Sequence, residues 1–283
     1  MDQLGMMLGM RECTQTGQYD RGQALYFCCG GFLERPEFPV STCQSTVPFH
    51  WMVSAYSSPQ WHREGCSVDE RLLSTTFKSL GFHVQVEKNL SANEMIGALR
   101  KVSKENHTDS SCFVCVLMSH GEEGTILGSD ERWIPVKTLT SLMTSNLCPS
   151  LQNKPKLFFL QACRGLKYDP GVEADSDEAP GEFFGISDVP EADFLFCYST
   201  VEGYYSWRNP ETGSVFIREL CKMLKDSHLE ISQILTRVNH YVSCHFQSNT
   251  RDPDTHRKKQ MPCFASKLTK DFYLHVPEKK NKF

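Results

Sequence analysis

Two residues of this chain have the chemistry and the setting for acyl transfer at neutral pH. Cys163 follows the unbroken apolar run Leu157–Leu160 in the segment Gln161-Ala162-Cys163-Arg164-Gly165. His120 follows a second apolar run, Cys112–Met118, in Ser119-His120-Gly121-Glu122-Glu123-Gly124. Both runs are short enough for strands buried on both faces, as in a parallel sheet. Ligands of open α/β sheets bind just beyond the carboxyl ends of the strands, which is where each residue falls. The 43 residues from His120 to Cys163 leave room for one helix and a return strand, so neighbouring strands would bring both side chains to one edge. A thiolate that attacks a carbonyl carbon and an imidazole that protonates the leaving group are a sufficient minimum for acyl transfer. The backbone N–H of Gly121, paired with that of Cys163, would form an oxyanion hole. A cysteine after an apolar run is by itself more often a small buried hydrophobe, and a lone histidine there is more often structural. The pairing of the two motifs carries the argument.

The intervening sequence reads as elements able to position that edge. Ser67-x-x-Glu70 has the form of a capping box, followed by Val68, Leu72, Leu73, Phe77 and Leu80 at helical spacing and stopped by Gly81. Phe82, Val84 and Val86 alternate with polar residues as in a strand. A second capping box, Ser91-x-x-Glu94, opens a helix with Met95, Leu99 and Val102 on one face. A short hydrophobic piece at Thr125–Leu127 and a helix at Val136–Met143 lead into the strand before Cys163. Beyond it come a strand at Asp193–Tyr198, helices at Ser214–Leu224 and Glu230–Phe246, and a strand at Met261–Ser266. This alternation predicts an α/β fold, a mainly parallel sheet with helices on both faces. Residues 1–60 read as an irregular leader with one strand near Phe49–Val53. Tyr168–Pro190 is acidic and aperiodic and reads as a loop, and the charged tail Pro277–Phe283 as frayed.

Composition narrows the function classes. The 283 residues are 40% apolar and 23% charged, ordinary for a soluble globular chain of one large or two modest domains. No run approaches the ~18 apolar residues of a membrane span, and Met1–Gly9 lacks the basic start of a secretory signal. A net charge of -4 gives no reason to expect nucleic-acid binding. Thirteen cysteines, an odd number, read as reduced thiols in the cytosol rather than a disulfide framework. Cys112 and Cys115 form a C-x-x-C, but on a strand they face opposite ways, and neither they nor Cys28-Cys29 have neighbours at metal-site spacing. No metal or organic cofactor is expected.

The blocks C-V-L-M-S-H-G-E-E-G, F-F-L-Q-A-C-R-G, E-A-D-F-L-F-C-Y-S-T and G-Y-Y-S-W-R-N resemble those of the caspases, and most nearly the effector, or executioner, branch. The likeness spans roughly residues 63 to 275. It implies a six-stranded, mostly parallel sheet sandwiched by helices, and an endopeptidase cleaving after aspartate with Cys163 as nucleophile and His120 as general acid/base. Recognition of the aspartate carboxylate would fall to Arg63, Gln161 and Arg208, since guanidinium pairs bidentately and stays charged. Ser206 joins them as a substrate-binding residue. Tyr204 and Trp207 match the aromatic wall for the preceding substrate residue, and Asn209 a contact to more distant ones. Asp175, followed by Ser176, matches a processing site in the substrate-like Val172-Glu173-Ala174-Asp175; Asp188 and Asp193 are weaker candidates.

The resemblance further implies a cytosolic zymogen with a leader (1–60), a large subunit (61–175), a processed linker (176–190) and a small subunit (191–283). The protomers would pair through Met261–Ser266 into a homodimer acting on protein substrates in apoptosis. Nothing before Arg63 resembles a helical recruitment domain, so another protease is the expected activator. Two departures stand out. Pro48 lies in the stretch corresponding to the first strand, leaving the setting of Arg63 open, and Val215 and Asn249–Arg251 stand where effector caspases carry aromatics. The second predicts tolerance of aliphatic residues at the fourth substrate position. A catalytically silent homologue acting as a binding partner, and a cysteine hydrolase of another substrate class, are the alternative readings.

Overall fold

The computed structural model describes residues 65–171, 191–225 and 229–274, together with the strands at 40–42 and 49–54. In chain order the elements are β1 (Val40–Thr42), β2 (Phe49–Ser54), α1 (Cys66–Ser79), β3 (His83–Lys88), α2 (Ala92–Ser103), β4 (Phe113–Met118), β5 (Gly121–Glu122), β6 (Thr125–Leu127), β7 (Trp133–Pro135) and α3 (Val136–Thr140). Then follow β8 (Lys156–Gln161), β9 (Phe194–Tyr198), β10 (Arg208–Asn209), β11 (Gly213–Ser214), α4 (Val215–Leu224), α5 (Ile231–His245), β12 (Cys263–Ser266) and β13 (Asp271–Tyr273).

The main sheet has six strands in the order β12-β9-β8-β4-β2-β3, all parallel except the antiparallel edge strand β12. β4, β8 and β9 are buried along their whole length, which explains why their sequences are continuous apolar runs rather than alternations. Successive side chains still alternate between faces, and two cores result. Val114, Val116, Leu157, Phe159, Leu195 and Cys197 face α1, α4 and α5. Phe113, Cys115, Leu117, Phe158, Phe194 and Phe196 face α2 and α3. Cys112 and Cys115 fall in different cores. The second core is built on a stack of rings: Phe158 lies 6.0 Å from Phe194 and 5.6 Å from Phe196, nearly parallel to both.

The stretch up to residue 60, read as an irregular leader, supplies β2, which sits inside the sheet between β3 and β4 in six-residue register with each. It also supplies β1, which pairs in parallel with β13. Pro48, expected to interrupt this strand, lies outside the described residues and before β2 in the sequence. The strand before Arg63 is therefore present.

One helix start differs from expectation. Ser67-x-x-Glu70 is not a capping box: α1 begins at Cys66 after Gly65 in the left-handed region (φ 82°), with no side-chain cap. The Gly65 carbonyl takes the first N–H groups, those of Val68 and Asp69, and Glu70 instead binds Lys88 at 2.6 Å. The Ser91–Glu94 box is formed as read.

At the foot of β8, Lys156 is fully buried. Its ammonium donates to the carbonyls of Leu151 (3.2 Å) and Lys154 (2.9 Å) and stands 3.6 Å from the Glu191 carboxylate. Burial pulls its pKa down, and the nearby Glu191 opposes that shift. Glu191 in turn accepts from the Ser145 N–H (2.9 Å) and hydroxyl (2.7 Å).

Candidate active site

The site grows from the strand register. Met118 at the end of β4 pairs with Gln161 at the end of β8; His120 and Cys163 each lie two residues further on, at the same height beyond the sheet. The Ser119 N–H donates to the Gln161 carbonyl (3.3 Å), which holds the two exits together. The His120 turn is fixed from the other side. The Ser119 hydroxyl donates to the Leu127 carbonyl (2.5 Å), and the Leu127 N–H donates to the His120 carbonyl (2.9 Å). A β-carbon on Gly121 would stand 2.5 Å from the Cys163 carbonyl oxygen and 2.8 Å from the Ala162 side chain. Glycine is required there by space, and it lets the two loops touch main chain to main chain.

Cys163 is half-buried, whereas the thiols of Cys112, Cys115, Cys148, Cys197 and Cys221 are buried. Burial pushes the Cys115, Cys197 and Cys221 thiols well up, to about 12 for Cys221, away from the nucleophilic thiolate form. The Cys163 Sγ lies 3.4 Å from the Ser206 N–H, which donates to it, and 3.9 Å from the Ser206 carbonyl. The buried Ser206 hydroxyl accepts from Gln161 Nε2 (2.9 Å) and donates to the Ser199 hydroxyl (2.8 Å), which donates to the Ala162 carbonyl (3.1 Å). Gln260 closes this network: its Nε2 donates to the Ser199 carbonyl and its Oε1 accepts from the Trp207 N–H, both at 2.7 Å. Ser199 and Gln260 were not visible in the sequence as site residues, because nothing in their spacing joins them to Cys163.

Arg164 turns away from the site into the protein. It donates to Glu202 (3.0 Å) and to Cys263 Sγ (3.7 Å) and lies over the Tyr198 ring, 4.2 Å from its centroid. Its N–H donates to the Tyr204 carbonyl and its carbonyl accepts from the Gly203 N–H. Gly165 follows with its α-carbon against the Gly203 backbone, leaving no room for a side chain. Burial raises the pKa of Glu202, and a hydrogen bond with Glu123 raises it further, against the opposing pull of Arg164.

Of the residues expected to bind the aspartate carboxylate, Gln161 contacts Ser206, two residues before Arg208 at the start of β10. An extended chain alternates its sides, so Ser206 and Arg208 share one side of this segment and Tyr205 and Trp207 the other. Arg208 pairs with Ser214, whose N–H donates to the fully buried Asp69 carboxylate (2.8 Å) on α1. Arg63 lies outside the described residues, as do Asp175 and Ser176. Gly65, two residues after Arg63, is packed onto Asn209: a β-carbon there would meet the Asn209 carbonyl oxygen at 2.5 Å.

Two of the expected substrate-binding positions have further contacts in the structure. The ring against Trp207 is Tyr205, edge-on at 5.1 Å, while Tyr204 supplies the backbone carbonyl that holds Arg164. The period-two alternation from Trp207 would have identified Tyr205. Asn209, expected to reach distant substrate residues, accepts through its side-chain oxygen from the N–H groups of Glu211 (2.8 Å) and Thr212 (2.9 Å), an Asx turn that closes its hairpin. Among the described residues no group of three or more His, Cys, Asp or Glu is gathered to hold a metal.

A parallel sheet with a half-buried thiol and a histidine turn side by side at one edge, the thiol's loop braced by a glutamine–serine network, defines a cysteine hydrolase of the caspase type. The family model described as "Caspase domain" matches residues 53–273, and the chain belongs to the caspase family. It is 47% identical to Caspase-7 of Gallus gallus over 75% of this chain and 71% of that one. It is 41% identical to Caspase-3 of Mesocricetus auratus over 93% of each chain, and 48% identical to Caspase-3 of Xenopus laevis over 77% and 76%. Membership among the effector caspases makes the chain a cysteine endopeptidase.

Proposed function

We propose that the protein cleaves peptide bonds after aspartate and is made as a weakly active zymogen. Cleavage after Asp175 separates the large subunit (61–175) from the small one (191–283), with the linker 176–190 left on the small-subunit side of the cut. The observation that carries this reading is the common height of His120 and Cys163 beyond paired strand ends, with Gly121 in contact with the Cys163 backbone. Cys163 Sγ attacks the carbonyl carbon, and the N–H groups of Gly121 and Cys163 bind the resulting oxyanion. His120 gives a proton to the departing amine as the C–N bond breaks. Water, deprotonated by His120, then splits the thioester and restores the thiol.

Arg63, Gln161 and Arg208 bind the aspartate carboxylate, with Ser206 fixing Gln161. The partner for a homodimer is a second copy meeting the exposed edge of β12, since unpaired strand edges invite pairing. The protein works in the cytoplasm on protein substrates after activation by an upstream protease. The test is hydrolysis of a fluorogenic tetrapeptide ending in Asp, beside its Asn twin and a Cys163→Ala control, before and after cleavage at Asp175. Turnover of the Asp peptide alone, lost in the control and raised by cleavage, supports the reading. No turnover from a folded, cleaved protein makes the chain a silent homologue.

A further inference from the structure

The aromatic wall beside the thiol contains a ring not identified in the sequence. Tyr168 lies 5.5 Å from Tyr205 and 5.6 Å from Trp207, and those two rings are 5.1 Å apart. The three therefore form a closed cluster at contact distance, with Phe246 backing Trp207 at 6.4 Å. Tyr168 remains 39% exposed, so it borders the solvent side of the cluster rather than its interior.

Its position is set by main chain on both sides. The Lys167 N–H donates to the Gly203 carbonyl (3.1 Å), the Lys167 carbonyl accepts from Tyr205 (2.9 Å), and the Asp169 carbonyl accepts from Lys259 (2.8 Å). All of these bonds lie before Gly171, so a cut after Asp175 leaves them in place.

The geometry points to Tyr168 as a specificity-determining residue, the third wall of the subsite for the substrate residue preceding the aspartate, which makes that subsite a narrow slot for small side chains. This rests on the aspartate-directed reading above. Two rings inclined at 66° leave an open corner that accepts large or small side chains. A third ring held on the same corner removes the width a large side chain needs and keeps apolar surface for a small one. The chain's own candidate processing sequence, Val172-Glu173-Ala174-Asp175, has alanine at this position.

The experiment compares the processed wild type with Tyr168→Ala and Tyr168→Phe on fluorogenic Val-Glu-Ala-Asp and Val-Glu-Phe-Asp peptides. The rate of Cys163 alkylation by iodoacetamide serves as a reading of the thiol alone. The wild type is expected to favour the Ala peptide by about tenfold or more in kcat/KM. Tyr168→Ala should erase that preference, mainly by lowering KM for the Phe peptide, and Tyr168→Phe, which keeps the ring, should retain it. Alkylation should be equal in all three. An unchanged preference in Tyr168→Ala overturns the inference, as does an equal fall in KM for both peptides, which would make the ring a blockade rather than a wall. If the wild type alkylates normally yet cleaves neither peptide, the protease reading fails and the slot has no substrate to select.

Discussion

The position a β-carbon would take on Gly121 is 2.5 Å from the carbonyl oxygen of Cys163. The loop carrying His120 and the loop carrying Cys163 thus meet with no side chain between them, and their separation is a main-chain dimension.

Gly121→Ala should therefore be an activity mutation more than a stability mutation. A methyl group there pushes the His120 turn off Cys163 and moves the backbone N–H proposed to bind the oxyanion, a change worth about 10²–10³ in kcat. The measurement is kcat on an Asp-terminated peptide beside a thermal melt. A melt lowered drastically together with activity would mean that the contact holds the fold rather than the site.

Asp69 ties α1, and with it the segment just after Arg63, to the strand partner of Arg208. Asp69→Ala should raise KM for Asp peptides by about tenfold, in line with the ~1–3 kcal/mol of an acceptor removed from a buried N–H, with a smaller effect on kcat. Asp69→Asn keeps an acceptor oxygen and should recover most of the loss. Steady-state kinetics on the three proteins separates this from general destabilisation, which would lower the active fraction and leave KM unchanged.

Glu202 gives a pH dependence whose direction follows from its surroundings. Burial and the Glu123 hydrogen bond raise its folded-state pKa, with Arg164 opposing, so the folded protein holds this proton more tightly than the unfolded chain. The stability this contributes is complete below the unfolded value of about 4.3 and is lost as pH rises through the raised folded value. The melting temperature of Glu202→Gln relative to wild type should accordingly rise from acid toward neutral pH. A difference flat with pH would mean that Arg164 fully offsets the raised value.

Val215 opens α4 and is buried in the core that α4 shares with α1 and α5, at a position where the resemblance to effector caspases implies an aromatic, and Asn249–Arg251 carry no ring. Peptides with Val or Leu at the fourth position from the cut should be turned over within about tenfold of those with Asp. A positional-scanning library would measure this directly, and a sharp preference for Asp there would refute it.

The sequence made the central strands and the strand-end positions of His120 and Cys163 legible for a physical reason. β4 and β8 are buried on both faces, so their apolar runs are uninterrupted and end where the polar edge begins, at Ser119-His120 and Ala162-Cys163. The Ser91–Glu94 box was equally local and formed as read. What escaped depends on contacts distant in sequence. Gln260 reaches Ser199 across 61 residues, and Asp69 reaches Ser214 across 145. β1 is three residues long and is recognisable only beside β13. Ser67-x-x-Glu70 matched a capping pattern, but Gly65 turns the chain earlier and Lys88 takes the glutamate.

The clasp of Lys156, Glu191 and Ser145 stands at the opposite end of β8 from Cys163. Strand β9, from beyond the candidate cut, is zipped to β8 from before it, and α4 and α5 share a core with α1. Proteolysis after Asp175 should then give two bands on a denaturing gel and a single peak on a sizing column. Such a cut divides the chain without dividing the molecule.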